Sequence, residues 1–191
     1  MITLTKIKHA GGDETPRFEA VLCWHGKPVA AVSNGGTGGP CRVWWAAPAR
    51  RVEGIVATDK ATQEAVLREA VRIAKEVEPS LFAKLDPEHD PLGLRQDALD
   101  YVCMREVELV RLARSLDRAC KTKVLTRKPG QPAGAYCTVS VPPTAHEIAE
   151  VRRRYPSHIV LNNLSSRDRA ERLMRAEPDD SRNTGLTPST R

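Results

Sequence analysis

The 191-residue chain is predicted to fold as an α+β protein, on three observations. Its first 47 residues alternate apolar and polar side chains between turn-forming residues, the pattern of an antiparallel sheet with one buried face. Two segments near its middle repeat apolar residues at helical spacing. Its last third mixes a hairpin signal with two helices that carry their own capping residues.

"ITLTKIKH" opens with Ile2 and Leu4 on one side and Thr3 and Thr5 on the other. The phase slips at Lys6 and Ile7, which predicts either a short strand or a bulge near Lys6. After the loop "GGDETP", Phe18, Ala20, Leu22 and Trp24 share one face of a second strand. "HGK" supplies a tight turn in which Gly26 can take positive φ. "PVAAVS" returns as a third strand, with Pro28 confined to its start or to an edge. "CRVWWA" completes a meander, and residues 48–60 are irregular or a short strand.

A helix follows, capped by Thr58 or Asp59, with Val66, Ala70, Ile73 and Val77 at helical spacing. The proline-broken "EPSLFAKLDPEHDPLG" leads to a longer helix from about Arg95 to Cys120. Its apolar stripe is Val102, Leu109, Leu112, Leu116 and Cys120, flanked by Arg105, Arg111, Arg114 and Arg118. These helices either lie together across the sheet or form an insertion, 58–120, beside it. "TKVLTR" and "AYCTVSV" are strands joined by the turn chemistry of "KPGQPAG". Thr144 and Glu147 have capping-box spacing for a helix that ends near Tyr155. "HIVLNN" is a short buried strand, and Ser165 caps a last helix to about Ala176. Residues 177–191 read as a disordered tail on a single domain, 1–176.

With 40% apolar and 28% charged residues the composition is that of a soluble globular protein. Only eight residues are aromatic, so the core must rest on Val, Leu, Ile and Ala. No stretch approaches the roughly 20 apolar residues that cross a bilayer, and "MITLTKIKHAGG" lacks the apolar run of a signal peptide. The cytoplasm is the expected compartment, with no membrane partner. The five cysteines are scattered, odd in number and without a CxxC pair, a poor disulfide framework. Cys23, His25 and Cys41 are too few for structural zinc, which takes four ligands; no metal and no cofactor are expected.

Charge is divided unevenly. Residues 1–100 hold 13 Lys and Arg against 14 Asp and Glu, whereas residues 101–191 hold 17 against 10. The whole positive excess therefore lies in the second half, which points to a polyanionic partner. Lys121, Lys123, Arg127 and Lys128 surround the hairpin, and Arg152, Arg153 and Arg154 cross a helix end. Arginines at a helix C-terminus also suit its dipole. If hairpin and helix end share a side, they make a surface that can follow a phosphate backbone.

The glycine run "NGGTGG" raises a second possibility. Asn34, Gly35, Gly36, Gly38 and Gly39 could line a ligand or partner loop, because backbone amides in successive turns attract anions. It lacks the Gly-Lys-Ser/Thr ending of a Walker loop and leads into a strand rather than a helix. The favoured role is a tight turn, with Asn34 tolerating left-handed geometry. Trp44 and Trp45 point to opposite faces of a strand, so one can enter the core while the other faces a helix or a partner. The histidines at 9, 25, 89, 146 and 158 sit in no nucleophile motif, and there is no GxSxG or HExxH.

The set "FEAVLCWHGKPVAAVSNGGTGG", "CKTKVLTRK…AYCTVSV" and "RRRYPSHIVLNNL" resembles a family of small tailed-phage proteins. The residues that carry it are Phe18, Ala20, Gly26, Lys27, Val32, Asn34, Gly36, Gly38, Gly39, Trp45, Tyr155, Pro156, Leu161 and Asn162. His25 and Gly35 depart from the pattern. The resemblance implies a phage or prophage setting and an accessory role in host takeover or evasion of host defence, with no activity to transfer. The expectation is a non-enzymatic protein in the host cytoplasm that binds a host protein or nucleic acid. The alternative is a nucleotide or small-molecule binder, or a small enzyme, using loop 34–39.

Overall fold

The computed structural model describes residues 1–10, 15–46, 57–86 and 92–175. The expected tail 177–191, most of segment 48–60 and part of the "GGDETP" loop lie outside them. By contact the chain divides into two compact units, Met1–Glu108 and Leu109–Arg191.

The first unit opens with an antiparallel meander in sequence order: β1 (Ile2–Ala10), β2 (Arg17–Trp24), β3 (Lys27–Asn34) and β4 (Arg42–Trp45). The phase slip in the sequence is a bulge. The β1–β2 register shifts between Thr5 and Lys8, and Lys6 has φ 50°. Adding a residue there resets the alternation, so Leu4 sits in the core and Ile7 packs against it. His25 and Gly26 join β2 to β3 with φ 48° and 78°. Positive φ at both central residues is the type I′ geometry whose twist matches the strands. The sequence placed only Gly26 in that region; His25 adopts it too, with its ring edge-on to Trp24 at 4.2 Å. Pro28 stands second in β3, at a register shift opposite Cys23, where a missing ladder donor is tolerated.

One face of the meander buries Phe18, Ala20, Leu22, Ala30 and Val32. Against it pack Val66, Leu67 and Ala70 of α1 (Lys60–Val77) and Leu99, Val102, Cys103 and Val107 of α3 (Leu92–Cys120). The helices therefore lie across the sheet. Asp59 caps α1, its carboxylate accepting from the Thr62 amide at 2.7 Å. The buried stripe of α1 is Val66, Leu67, Ala70, Val71 and Ala74, rotated from the expected row, and Ile73 and Val77 are only partly buried. The cause is a second neighbour: Val71 and Ala74 form their own cluster with Ala98 of α3. A short α2 (Pro79–Phe82) sets Phe82 against Tyr101 at 5.2 Å.

In β4 the two tryptophans separate as strand geometry requires. Trp45 packs against the core and Trp44 is 39% exposed. Trp45→Ala is expected to lower stability in urea by about 3 kcal/mol, and Trp44→Ala by less than about 1 kcal/mol. The reverse order in paired melts would mean that β4 is displaced by one residue.

In the second unit, β5 (Val124–Arg127) lies between β6 (Cys137–Val139) and β7 (Ile159–Val160), antiparallel to both. All four β5 residues are buried because both faces are covered. Leu125 meets Leu116 of α3, Leu161 and Leu173 of α5 (Ser166–Met174). Val124 meets Val151 of α4 (Ala145–Arg154), Val160 and, around them, Ile148 and Tyr155. Thr144 and Ser165 cap α4 and α5 as their spacing predicts, accepting from the amides of Glu147 at 3.2 Å and Asp168 at 3.1 Å.

The strand expected over "HIVLNN" is only two residues long, because Leu161–Asn163 turns into a 3-10 helix. The Asn162 side chain explains the change. Its Oδ1 accepts from the Leu125 amide at 2.7 Å, and its Nδ2 donates to the carbonyls of Lys123 at 3.0 Å and Cys120 at 3.3 Å. One amide side chain thus satisfies backbone groups that a longer β7 would otherwise have to reach. Among the described residues, no helix is long and apolar enough to cross a membrane.

Candidate functional site

The glycine loop between β3 and β4 is organised by Asn34, which is 3% exposed. Its Oδ1 accepts from the Gly36 amide at 2.7 Å and from the Thr15 hydroxyl at 3.0 Å. Its Nδ2 donates to the Gly39 carbonyl at 2.8 Å. The Gly38 amide donates to Thr15 Oγ1 at 3.4 Å. Asn34 itself does not take the left-handed geometry expected of it; Gly36 and Gly38 do, with φ 83° and 79°. The physical reason is that Asn34 acts through its side chain, as the last residue of a strand, while the turn that follows needs the positive φ. Gly35 and Gly39 need no such freedom: a Cβ on Gly35 would make ordinary contact with Thr37 Oγ1 at 3.9 Å, and one on Gly39 would meet nothing within 4 Å.

Two depressions flank this loop. One of about 440 Å³ is lined by Thr37, Gly39, Pro40 and Arg42, and one of about 300 Å³ by Lys8, His9, Arg17 and Glu19. Both include Ser33, Asn34 and Gly35. The Gly36 and Gly38 amides already have acceptors, so an anion entering here would have to displace Asn34 and Thr15 from them. The register places Lys8, Glu19, Ser33 and Arg42 in one row across the sheet, followed by Thr5, Val21, Ala31 and Trp44. Trp44 is thus the edge of a face on which apolar and charged rows alternate.

The nearest thiol is a poor nucleophile. Burial pushes the Cys41 thiol well above its ordinary range, and the Asp100 carboxylate, which also accepts from the Cys41 amide at 2.6 Å, pushes it further. Burial likewise pushes Cys103 up to about 12. Both stay protonated at neutral pH. All five cysteines are free thiols. Among the described residues, no three His, Cys, Asp or Glu side chains are placed together to hold a metal ion.

The basic set of the second unit is rearranged by the fold. Arg127 does not join the surface: it is fully buried. Its guanidinium donates to the carbonyls of Gln131 at 3.3 Å and Pro132 at 3.2 Å, and to those of Arg172 and Arg175. The reason is alternation along β5, which points Arg127 to the same side as Leu125, toward the end of α5. Lys121, Lys123, Lys128, Arg152, Arg153 and Arg154 are exposed, but they do not form one cluster. Lys123 precedes β5 and Lys128 follows it, at opposite ends of a strand about 10 Å long. Because Arg127 pairs with Ile159, the segment that follows Arg154 enters β7 at the Lys128 end of β5. Arg153 pairs with Glu150 at 2.8 Å, and Arg154 lies over the Tyr155 ring at 5.6 Å. Tyr155 stacks in turn on His158, whose Nδ1 is 3.2 Å from Thr126 Oγ1.

In the sequence Arg111, Arg114 and Arg118 stand out only as flanks of a helix stripe. All three are exposed on α3, about one to three turns from Lys121. The signal that finds them is their spacing of three and four residues, opposite Leu109, Leu112 and Leu116. No protein-family model, no curated protein and no solved structure matches the chain.

Proposed function

We propose that this is a non-enzymatic phage accessory protein that acts by binding a host macromolecule, and that its C-terminal unit takes nucleic acid. The phage setting rests on the resemblance in the meander and in the "RRRYPSHIVLNNL" segment. The observation that carries the binding role is charge. Residues 109–175 hold 14 Lys and Arg against 5 Asp and Glu. Two of those cations are built into the interior, Arg127 on carbonyls and Arg169 on Asp117 at 2.6 Å. The exposed Arg114, Arg118, Lys121, Lys123, Lys128 and Arg152 make no ion pair among the described residues. Such an excess repels itself, and a polyanion relieves that repulsion by releasing its counterions.

The test is binding of the full chain, stripped of copurified nucleic acid, to a mixed-sequence DNA duplex and an RNA hairpin across a salt series. Micromolar affinity at 50 mM salt, falling roughly 10³-fold or more by 200 mM, is the expected result for about six phosphate contacts. No binding at the lowest salt, or binding indifferent to salt, overturns the nucleic-acid role.

A further inference from the structure

The second half of α3 presents a straight row of cations on the side of the helix away from the leucine core. Arg111, Arg114, Arg118 and Lys121 follow one another at three- and four-residue intervals, and all are exposed. At about 1.5 Å per residue the row is roughly 15 Å long. Leu109 and Leu116 are buried on the opposite side, and Leu112 packs with Leu116. Lys121 keeps its place in the row because its amide still donates to the Arg118 carbonyl at 3.3 Å.

Within 109–123 Asp117 is the only acidic residue, and it is turned away from the row. It holds Arg169 at 2.6 Å and the Ser166 hydroxyl at 2.8 Å, both on α5. Like charges at these intervals destabilise a helix, and Arg114, Arg118 and Lys121 make no ion pair among the described residues that would offset this. We infer that this ridge binds the phosphate backbone of a duplex nucleic acid without regard to sequence; the inference deepens, and rests on, the nucleic-acid role proposed for this unit.

Three observations favour this partner. Three of the four cations are arginines, whose planar donors match phosphate oxygens two at a time. Residues 109–123 contain no aromatic side chain, so there is no stacking platform of the kind single strands use. The exposed residue between the cations is Ser115, not one of the large apolar groups that carry a helix into a lipid surface. The Arg152–Arg154 cluster is the competing surface, and it lies on the other side of the sheet. α3 packs on the Leu125 face of β5, and α4 packs on the Val124 face. One substitution set can therefore be read without disturbing the other.

The experiment measures full-chain binding to a 20-bp mixed duplex, to an equally long oligo-dT and to phosphatidylserine vesicles. The proteins are wild type, R114E/R118E, R114Q/R118Q and R152E/R154E. K27E/K60E, altering exposed lysines of the first unit, matches the net charge change of the ridge reversal. Circular dichroism melts check that each variant folds. R114E/R118E is expected to lose at least tenfold in duplex affinity at 50 mM salt relative to K27E/K60E. R114Q/R118Q is expected to lose less, with its slope of log affinity against log salt shallower by about 2. If R152E/R154E loses binding while both ridge variants match the control, the ridge is overturned and the nucleic-acid role stands. Tighter binding to oligo-dT than to the duplex, or binding to vesicles alone, also overturns it. If wild type binds no nucleic acid, the broader role fails, and the ridge assignment with it.

Discussion

Arg127→Ala is expected to lower the unfolding free energy of the C-terminal unit by about 3 kcal/mol or more, from the loss of charge-assisted bonds and the unpaired carbonyls left behind. Arg127 sits in the central strand of its sheet, is fully buried, and faces four backbone carbonyls. Two of them, Gln131 and Pro132, belong to the β5–β6 connection; the others, Arg172 and Arg175, belong to the end of α5. The last carbonyls of a helix have no partner within it, and here a side chain some 45 residues away in sequence supplies one. The Gly134 amide adds a second tie, donating to the Leu173 carbonyl at 2.7 Å. Arg127→Lys keeps the charge but not the fork and is expected to cost about 2 kcal/mol. Arg127→Leu restores apolar volume, leaves the carbonyls unpaired, and is expected to do no better than alanine. Urea melts followed by circular dichroism, with amide exchange of α5 as the local readout, measure this. The exposed neighbour Lys128→Ala serves as the control, expected to stay within about 0.5 kcal/mol of wild type. An Arg127→Ala protein within about 1 kcal/mol of wild type would show that water satisfies the α5 carbonyls unaided.

Asn34→Ala is expected to cost about 2–3 kcal/mol, because it removes a buried side chain that makes three hydrogen bonds at 2.7–3.0 Å. It also strands the Gly36 amide, itself buried, without an acceptor. Asn34→Asp separates the two halves of the side chain's work. It keeps the oxygen that receives Gly36 and Thr15 but sets a second oxygen against the Gly39 carbonyl, so an intermediate loss of about 1–2 kcal/mol is expected. Amide exchange at Gly36 is the local measurement. Protection should vanish in the alanine variant and persist in the aspartate one. Equal protection in both would assign the order of the loop to its glycines rather than to Asn34.

These two residues also mark what a sequence can and cannot disclose. The bulge at Lys6, the turn at Gly26 and the caps Thr144 and Ser165 are legible because each is a local pattern with a local physical cause. Asn34 was singled out for its tolerance of left-handed backbone, yet its effect comes from bonds to Thr15, Gly36 and Gly39. The first of those partners lies across a loop, beyond the reach of a pattern of neighbours. Asn162 ended its strand early for the same reason, through contacts about 40 residues away. Arg127 sat in a run of Lys and Arg, and only the alternation of β5 and the position of α5 distinguish it from Lys128. The ridge on α3 had the opposite difficulty. Its spacing was visible from the start, but which side faces water depends on where Leu116 and Leu125 meet.

The contrast between the two sheets has a consequence for how the chain emerges during synthesis. Each strand of the meander pairs with the one made just before it, so the N-terminal sheet can assemble as it leaves the ribosome. The central strand of the second sheet has no such neighbour. Thr126 waits for Cys137 on one side and for Val160, 34 residues later, on the other. At roughly 5–20 residues per second that interval is about 2–7 s. Through it "VLT" is an apolar strand with one edge unmatched, the state in which nascent chains pair with the wrong neighbour. Lys121, Lys123 and Lys128 stand on either side of it, the placement of charge that discourages such a segment from pairing with its copies.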